Sequence, residues 1–242
     1  MAKNYRTKNS KHGFNLVELA IIITIIAIII TSISASRSII YNSKLTNVIK
    51  NFNYYMSAMH NFNLEYSALP GDISNAYNFF GTDCDSVASY CNGNGDGLIS
   101  TSSDSNDDET NRFWQHLYLS GYLNDYSSGM GGKASSSPKG PIDSSSFTMQ
   151  SYSFYGYAAS NNLTFSYLFD FNGILTPKDA KNIDSKMDDG LAGTGNILAA
   201  DGAQYSNGVC TGSYYSETAQ DYILTSTITG CLLAYPYEFQ EQ

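Results

Sequence analysis

The chain has 242 residues, of which 42% are apolar and only 14% charged, and its 22 Asp and Glu outnumber its 13 Lys and Arg for a net charge of −9. That length accommodates one long helix and one globular head with a core large enough to fold alone. The acid excess excludes a head that grips nucleic acid through its phosphates, since a surface of that sign repels the backbone, and it suits divalent cations or basic partners.

The chain begins with a basic leader carrying Lys3, Arg6, Lys8 and Lys11. Gly13-Phe14-Asn15-Leu16-Val17-Glu18 follows, and then the apolar run Leu19 to Ile30. The uncharged stretch Leu19 to Ser36, at about 1.5 Å per residue, covers most of a hydrocarbon core of roughly 30 Å. A secretory signal with Ser34-Ala35-Ser36 as its cleavage site is the competing reading. Against it, the apolar face continues past Arg37 at Leu45, Val48, Ile49, Phe52, Tyr55, Met56, Met59, Phe62 and Tyr66, the three-and-four spacing of one helix face. No Pro or Gly falls between Gly13 and Pro70. One helix is therefore predicted over Phe14 to Tyr66, with a membrane half and an amphipathic half. Glu18 is the anomaly, because a carboxylate stranded at the centre of a bilayer costs roughly 2.5–3.5 kcal/mol.

Gly13 followed by Phe14-Asn15-Leu16-Val17-Glu18-Leu19 resembles the prepilin cleavage and methylation motif of type IV pilins and type II secretion pseudopilins. The resemblance implies that a prepilin peptidase cuts between Gly13 and Phe14, that Phe14 is then N-methylated, and that Glu18 pairs with the N-terminal amine of a neighbouring subunit. Elementary electrostatics agrees, since a carboxylate in the first helical turn favours the positive dipole end and an ammonium in low dielectric is its natural partner. Asn15 stands where the family most often has Thr, and Ala35 lies near a position where many members have a helix-kinking Pro. The expected fold is α+β and pilin-like: a leader over 1–13, a transmembrane and assembly half over 14–36, an amphipathic half over 37–66, and a head with a small antiparallel sheet over 67–242.

Further expectations follow from that resemblance. The partners are the prepilin peptidase, other pilin or pseudopilin subunits, an inner-membrane assembly platform and membrane lipid, with no nucleic-acid contact by the head. The chain belongs first in a bacterial inner membrane, head outward, and then in a periplasmic or surface filament. Loss of the leader removes four basic residues and leaves nine against twenty-two acids, a net of −13. Basic residues ahead of the apolar run also obey the positive-inside tendency. The alternative of a different class is a membrane-anchored, calcium-dependent binding or adhesin module, to which the 20 Tyr residues are suited.

In the head, Leu69-Pro70-Gly71-Asp72 reads as the turn that ends the long helix. Four cysteines allow three pairings, and an exported head permits disulfides. Cys84–Cys91 and Cys210–Cys231 are the favoured pairs because each closes a short loop. Zinc is the lesser use, since neither pair has ligand spacing and His12, His60 and His116 are scattered. Between Cys91 and Ile99 the run Asn92-Gly93-Asn94-Gly95-Asp96-Gly97-Leu98 resembles the first half of an EF-hand loop. It offers Asn92, Asn94, Asp96 and the Leu98 carbonyl to calcium. Ser103 falls where a bidentate Glu is expected, and of the nearby acids Asp104, Asp107, Asp108 and Glu109, the last is the natural substitute. A solvated Asn-Gly and Asp-Gly turn is the metal-free reading. Pseudopilin heads often hold calcium in an acidic loop, which the resemblance extends to this one.

Glu109 to Leu119 is predicted as a short amphipathic helix ended by Gly121, and Tyr126 to Ser146 as a Gly- and Ser-rich loop. Phe147 to Phe171 alternates as two antiparallel strands with Ser160-Asn161-Asn162 at the turn. Thr176-Pro177 caps a helix through Met187, closed by Asp188-Asp189-Gly190, in a run resembling one that recurs in pseudopilin-like proteins. Its carboxylates offer a second cation site, although the cap and the glycine turn account for most of it. Tyr222 to Thr229 is predicted as a strand leading to a C-terminal edge. No Ser-His-Asp set, P-loop or dinucleotide turn is present, so no enzyme is expected.

Overall fold

The structure is a computed structural model and describes residues 13, 15–101, 108–124, 137–152, 160–167, 171–205, 208–211 and 221–237. The leader residues Lys3, Arg6, Lys8 and Lys11 lie outside the described residues, as do Phe14, Ser103, Asp104 and Asp107. Helix α1 spans Leu16–Tyr66, 51 residues. Asn15 starts it: its Oδ1 accepts from the Val17 N–H at 3.3 Å, and Glu18 Oε2 accepts from the Asn15 N–H at 3.1 Å. This is a reciprocal capping box, which satisfies two orphan donors and gives the Glu18 carboxylate a partner within its own chain.

The chain divides into two compact units, Met1–Ser43 and Lys44–Gln242. In the first, α1 is apolar all round from Leu19 to Ile30, with Leu19 at 55% and Ile28 at 66% exposure. Its most apolar 18-residue window has a mean hydropathy of 2.8 and buries none of itself. It is one helix long and apolar enough to cross a membrane.

In the second unit α1 becomes striped. Leu45, Val48, Phe52, Tyr55, Met59 and Phe62 are buried along one face. Phe52 meets Phe147 edge-on at 5.1 Å, and Tyr55 meets both Trp114 and Phe147 at 5.1 Å. Those rings belong to the other two layers. One is helix α4, Glu109–Leu119; the other is a four-stranded antiparallel sheet of β1 (Ser145–Tyr152), β2 (Ser160–Tyr167), β3 (Leu198–Asp201) and β4 (Cys231–Tyr237), in the order β1-β2-β4-β3. The fold is α+β. Short helices α2 (Tyr77–Phe80) and α3 (Ala88–Cys91) lie between α1 and α4, and α5 (Pro177–Met187) lies between β2 and β3. Thr176 caps α5 by accepting the Asp179 N–H at 3.2 Å. The opposite sheet face carries a smaller core of Leu198, Ala200, Leu232 and Ala234.

Three expectations are corrected. Ser160, Asn161 and Asn162 are strand residues of β2, paired with Tyr152, Ser151 and Gln150, and not a turn. Their amides replace the turn's role: Asn162 Nδ2 donates to the carbonyls of Tyr152 and Ser160, at 3.1 and 2.7 Å. Tyr222 to Thr229 is turn and coil, because the Tyr222 hydroxyl is drawn to Asp184 Oδ2 at 2.7 Å and the chain bends back through Leu224. The last strand, β4, is an inner strand between β2 and β3 and not an edge.

Candidate metal centre

The turn after α1 delivers Asp72 to the foot of α4. Gly71, at φ +86°, is required there, since a Cβ would stand 2.5 Å from the Glu109 carbonyl. Gly93 is equally constrained, because its Cβ would stand 2.4 Å from the Asp72 backbone. These two close approaches bring three segments together: the Asp72 turn, the 92–100 loop and the first turn of α4.

Each carboxylate then organises the loop. Asp72 Oδ1 accepts from the Gly95 N–H at 2.7 Å and the Asp96 N–H at 3.1 Å, and Oδ2 accepts from Gly97 at 2.8 Å. Glu109 Oε1 accepts from Asn94 N–H at 2.9 Å and Oε2 from Ser100 N–H at 2.8 Å. Behind the loop, Asn161 of β2 accepts from Ile99 N–H at 2.7 Å and donates to the Gly97 carbonyl at 2.8 Å, fixing the loop to the sheet. Oxygens of Asp72, Asp96 and Glu109 lie within 4.8 Å of one another. Asp72 and Glu109 are buried and Asp96 is exposed. Burial pushes the Asp72 and Glu109 carboxyls above the usual carboxylate range, and the charge of Asp96 pushes further in the same direction, against the lowering effect of the backbone N–H groups. A divalent cation held there would relieve this repulsion, and an all-oxygen donor set is of the kind that suits calcium.

Of the residues read as ligands, Asp96 and Glu109 are brought together, and Asp72 joins them. The Asn92 side chain is committed elsewhere, its Oδ1 accepting from the Tyr77 N–H at 2.9 Å. Asn94 donates from Nδ2 to Asp96 Oδ2 at 3.0 Å, and Leu98 N–H donates to Asp96 Oδ1 at 2.9 Å. A cleft of about 440 Å³, lined by Ser74, Asn92, Asn94, Ser100 and Glu109 among others, opens beside the cluster. Asp72 was hidden in sequence because the Pro-Gly-Asp run also satisfies a helix-ending turn. Nothing local ties it to the 92–100 loop, which lies twenty residues further along the chain.

The rest of the buried polar face of α4 holds the segment that precedes the loop. Arg112 donates to the carbonyls of Asn92 and Ser89, and Gln115 Nε2 donates to the Cys84 carbonyl at 2.6 Å. His116 Nδ1 accepts from the Gly71 N–H at 2.9 Å, which leaves Nε2 as the donor to the Cys91 carbonyl at 3.1 Å. Complete burial, with the Arg112 charge adding to it, pushes this imidazole down to about 3, so it is neutral. Cys84 and Cys91 are joined as a disulfide with Cα atoms 5.6 Å apart, and Cys210 and Cys231 likewise at 5.0 Å. The first pair lies beside His116, but no thiolate is left for zinc and both imidazole nitrogens are engaged.

A second acidic group, Asp184, Asp188 and Asp189, also gathers within 4.8 Å. Its members also accept hydrogen bonds from their surroundings, as the carboxylates of the first group do. Asp184 holds Gly190 N–H and the Tyr222 hydroxyl, Asp188 holds Ile197 N–H, and Asp189 holds Leu191 N–H and the Thr194 hydroxyl.

No family model, curated protein or solved structure matches the chain.

Proposed function

We propose that this chain is a prepilin-like structural subunit of a type II secretion pseudopilus or type IV pilus, processed after Gly13 and assembled through α1. The observation that carries it is a carboxylate, Glu18, in the first turn of a helix that opens with an unbroken apolar window long enough to cross a membrane. A helix apolar all round requires an apolar surrounding, either lipid or copies of itself. In a bundle of such helices the Glu18 carboxylate exchanges the Asn15 N–H for the Phe14 amine of a neighbour, and that charge pair sets the axial register which uniform Ile and Ala surfaces leave weakly specified. The proposed partners are accordingly the prepilin peptidase, like subunits, an inner-membrane assembly platform and lipid.

Within the head, Asp72, Asp96 and Glu109 would hold calcium, which supplies a hard positive charge that cancels their mutual repulsion and fixes the 92–100 loop. The two disulfides support an oxidising compartment for the head. The test is the N-terminus of the chain recovered from membranes. A start at N-methylated Phe14 is expected, and a start at Met1 or at Arg37 would refute prepilin processing.

A further inference from the structure

We propose that Asn94 is a self-modifying site, at which the backbone nitrogen of Gly95 closes on the Asn94 side chain, expels ammonia and leaves a carboxylate in place of the amide. Among the described residues, Asn is followed by Gly at Asn92-Gly93, Asn94-Gly95 and Asn172-Gly173. A glycine puts no side chain in the way of that attack and lets the peptide turn toward it. Local sequence therefore favours all three alike, and the fold separates them.

At Asn94 the reacting groups are exposed and already polarised. Asn94 and Gly95 are both exposed, and Asn94 lines the cleft of about 440 Å³ from which water reaches it. Asn94 Oδ1 accepts from the Asp96 N–H at 2.9 Å. That donor stands where negative charge develops when a nitrogen adds to the amide carbon. The Gly95 N–H is donated to Asp72 Oδ1 at 2.7 Å, so an acceptor for its proton is in place before the attack. Gly95 also has room to turn, since the atom nearest to a Cβ built there is the Ser74 Cβ, 3.3 Å away.

The other two pairs are locked. Asn92 Oδ1 accepts from the Tyr77 N–H, its carbonyl accepts from Arg112, and the Gly93 N–H is donated to the Ile73 carbonyl at 3.0 Å. A Cβ on Gly93 would stand 2.4 Å from the Asp72 backbone, which leaves that peptide no room to rotate. At Asn172 the carbonyl accepts from the Tyr167 N–H at 2.8 Å, and the Gly173 N–H is donated to Gln204 Oε1 at 2.8 Å. A Cβ on Gly173 would stand 2.0 Å from the Gly230 backbone.

The reaction balances within the chain and solvent. The Gly95 nitrogen bonds to Asn94 Cγ and gives up its proton, the Cγ–Nδ2 bond breaks, and Nδ2 leaves with a proton as ammonia. The cyclic imide then takes up one water, which reopens it at either carbonyl to give aspartate at 94 or its backbone-extended isomer. The product places a further negative charge beside Asp72, Asp96 and Glu109. The step stands whether or not the loop holds calcium.

The test is peptide mapping by mass spectrometry of the full wild-type protein, incubated at mildly alkaline pH in detergent with a chelator, once folded and once unfolded in urea. Heavy-oxygen water marks each amide that has become a carboxylate. In the folded protein Asn94 is expected to convert at least about tenfold faster than Asn92 and Asn172, and in urea the three rates are expected to converge to within about threefold. Folded-state rates that do not set Asn94 apart from the other two would overturn the proposal. A separation that persists unchanged in urea would assign the reactivity to local sequence and overturn the role of the fold.

Discussion

The two halves of α1 share one continuous backbone and almost nothing else. From Leu19 to Ile30 the helix is apolar on all sides and its Leu and Ile side chains are exposed, whereas from Leu45 to Phe62 a single stripe is apolar and is buried against Phe147, Trp114 and their neighbours. The difference teaches that helix formation says little about what a helix is for. The circumferential distribution of apolar residues decides whether its own domain can cover it. The striped half completes the head's core; the uniform half is long and apolar enough to cross a membrane.

Glu18 is the position in α1 where one substitution is expected to have the largest effect. Substitution by Val removes the charge that fixes register but keeps the apolar surface, so Glu18→Val is expected to insert in membranes normally and to form no filament. Filaments of normal yield by electron microscopy would sink the register argument.

A second contrast separates the halves by packing. Phe52→Ala empties a fully buried site and should cost about 3–5 kcal/mol in denaturant unfolding of the head. Ile25→Ala, at a position 51% exposed, should change the same transition by less than about 0.5 kcal/mol. Equal effects would mean that the uniform half also packs into the head.

Acid sharpens the contrast further, because only the striped half rests on a buried titrating group. His116 stacks near Phe62 at 6.4 Å and is pushed from 6.5 down to about 3 in the fold. A depressed folded value means that its neutral form contributes stability fully above about 6.5, and that this contribution is lost as pH falls from there toward 3. Unfolding of His116→Gln, followed by near-ultraviolet circular dichroism, should depend less steeply on pH across that window than wild type. An unchanged slope would contradict the burial argument.

The smallest effect concerns the metal centre. The Asp72 and Glu109 carboxyls lie above their ordinary range, so acid neutralises them early and a calcium ion held by them would lose its ligands. The rise in melting temperature caused by calcium should shrink as pH falls through that raised window; a calcium effect that grows on acidification would argue against carboxylate ligation.

Much of this architecture was legible in sequence where local chemistry decides it. α1, α4 and α5 carry clear period and cap signals, with Asp108 and Thr176 accepting the N–H groups expected of N-caps. β1 carries Phe147 and Met149 two residues apart. Elsewhere tertiary demands overrode local ones. Asn161 and Asn162 have turn chemistry but sit in β2, where their amides bind Ile99, Gly97 and Tyr152. Tyr222 has strand chemistry but is held in a turn by Asp184. Strand β3 is only four residues, Leu-Ala-Ala-Asp, too short and too small to announce itself. At the site, Asp96 was readable from loop spacing, and Glu109 only as a nearby acid at the start of the next helix. Asp72 was not, because its partnership arises only when Gly71 lets the turn close on α4.

The most direct test of the central claim is intact mass and N-terminal peptide mapping of the protein from its native membrane. Processing and assembly through α1 predict a chain that begins at N-methylated Phe14, and a chain that begins at Arg37 or retains Met1 would contradict them.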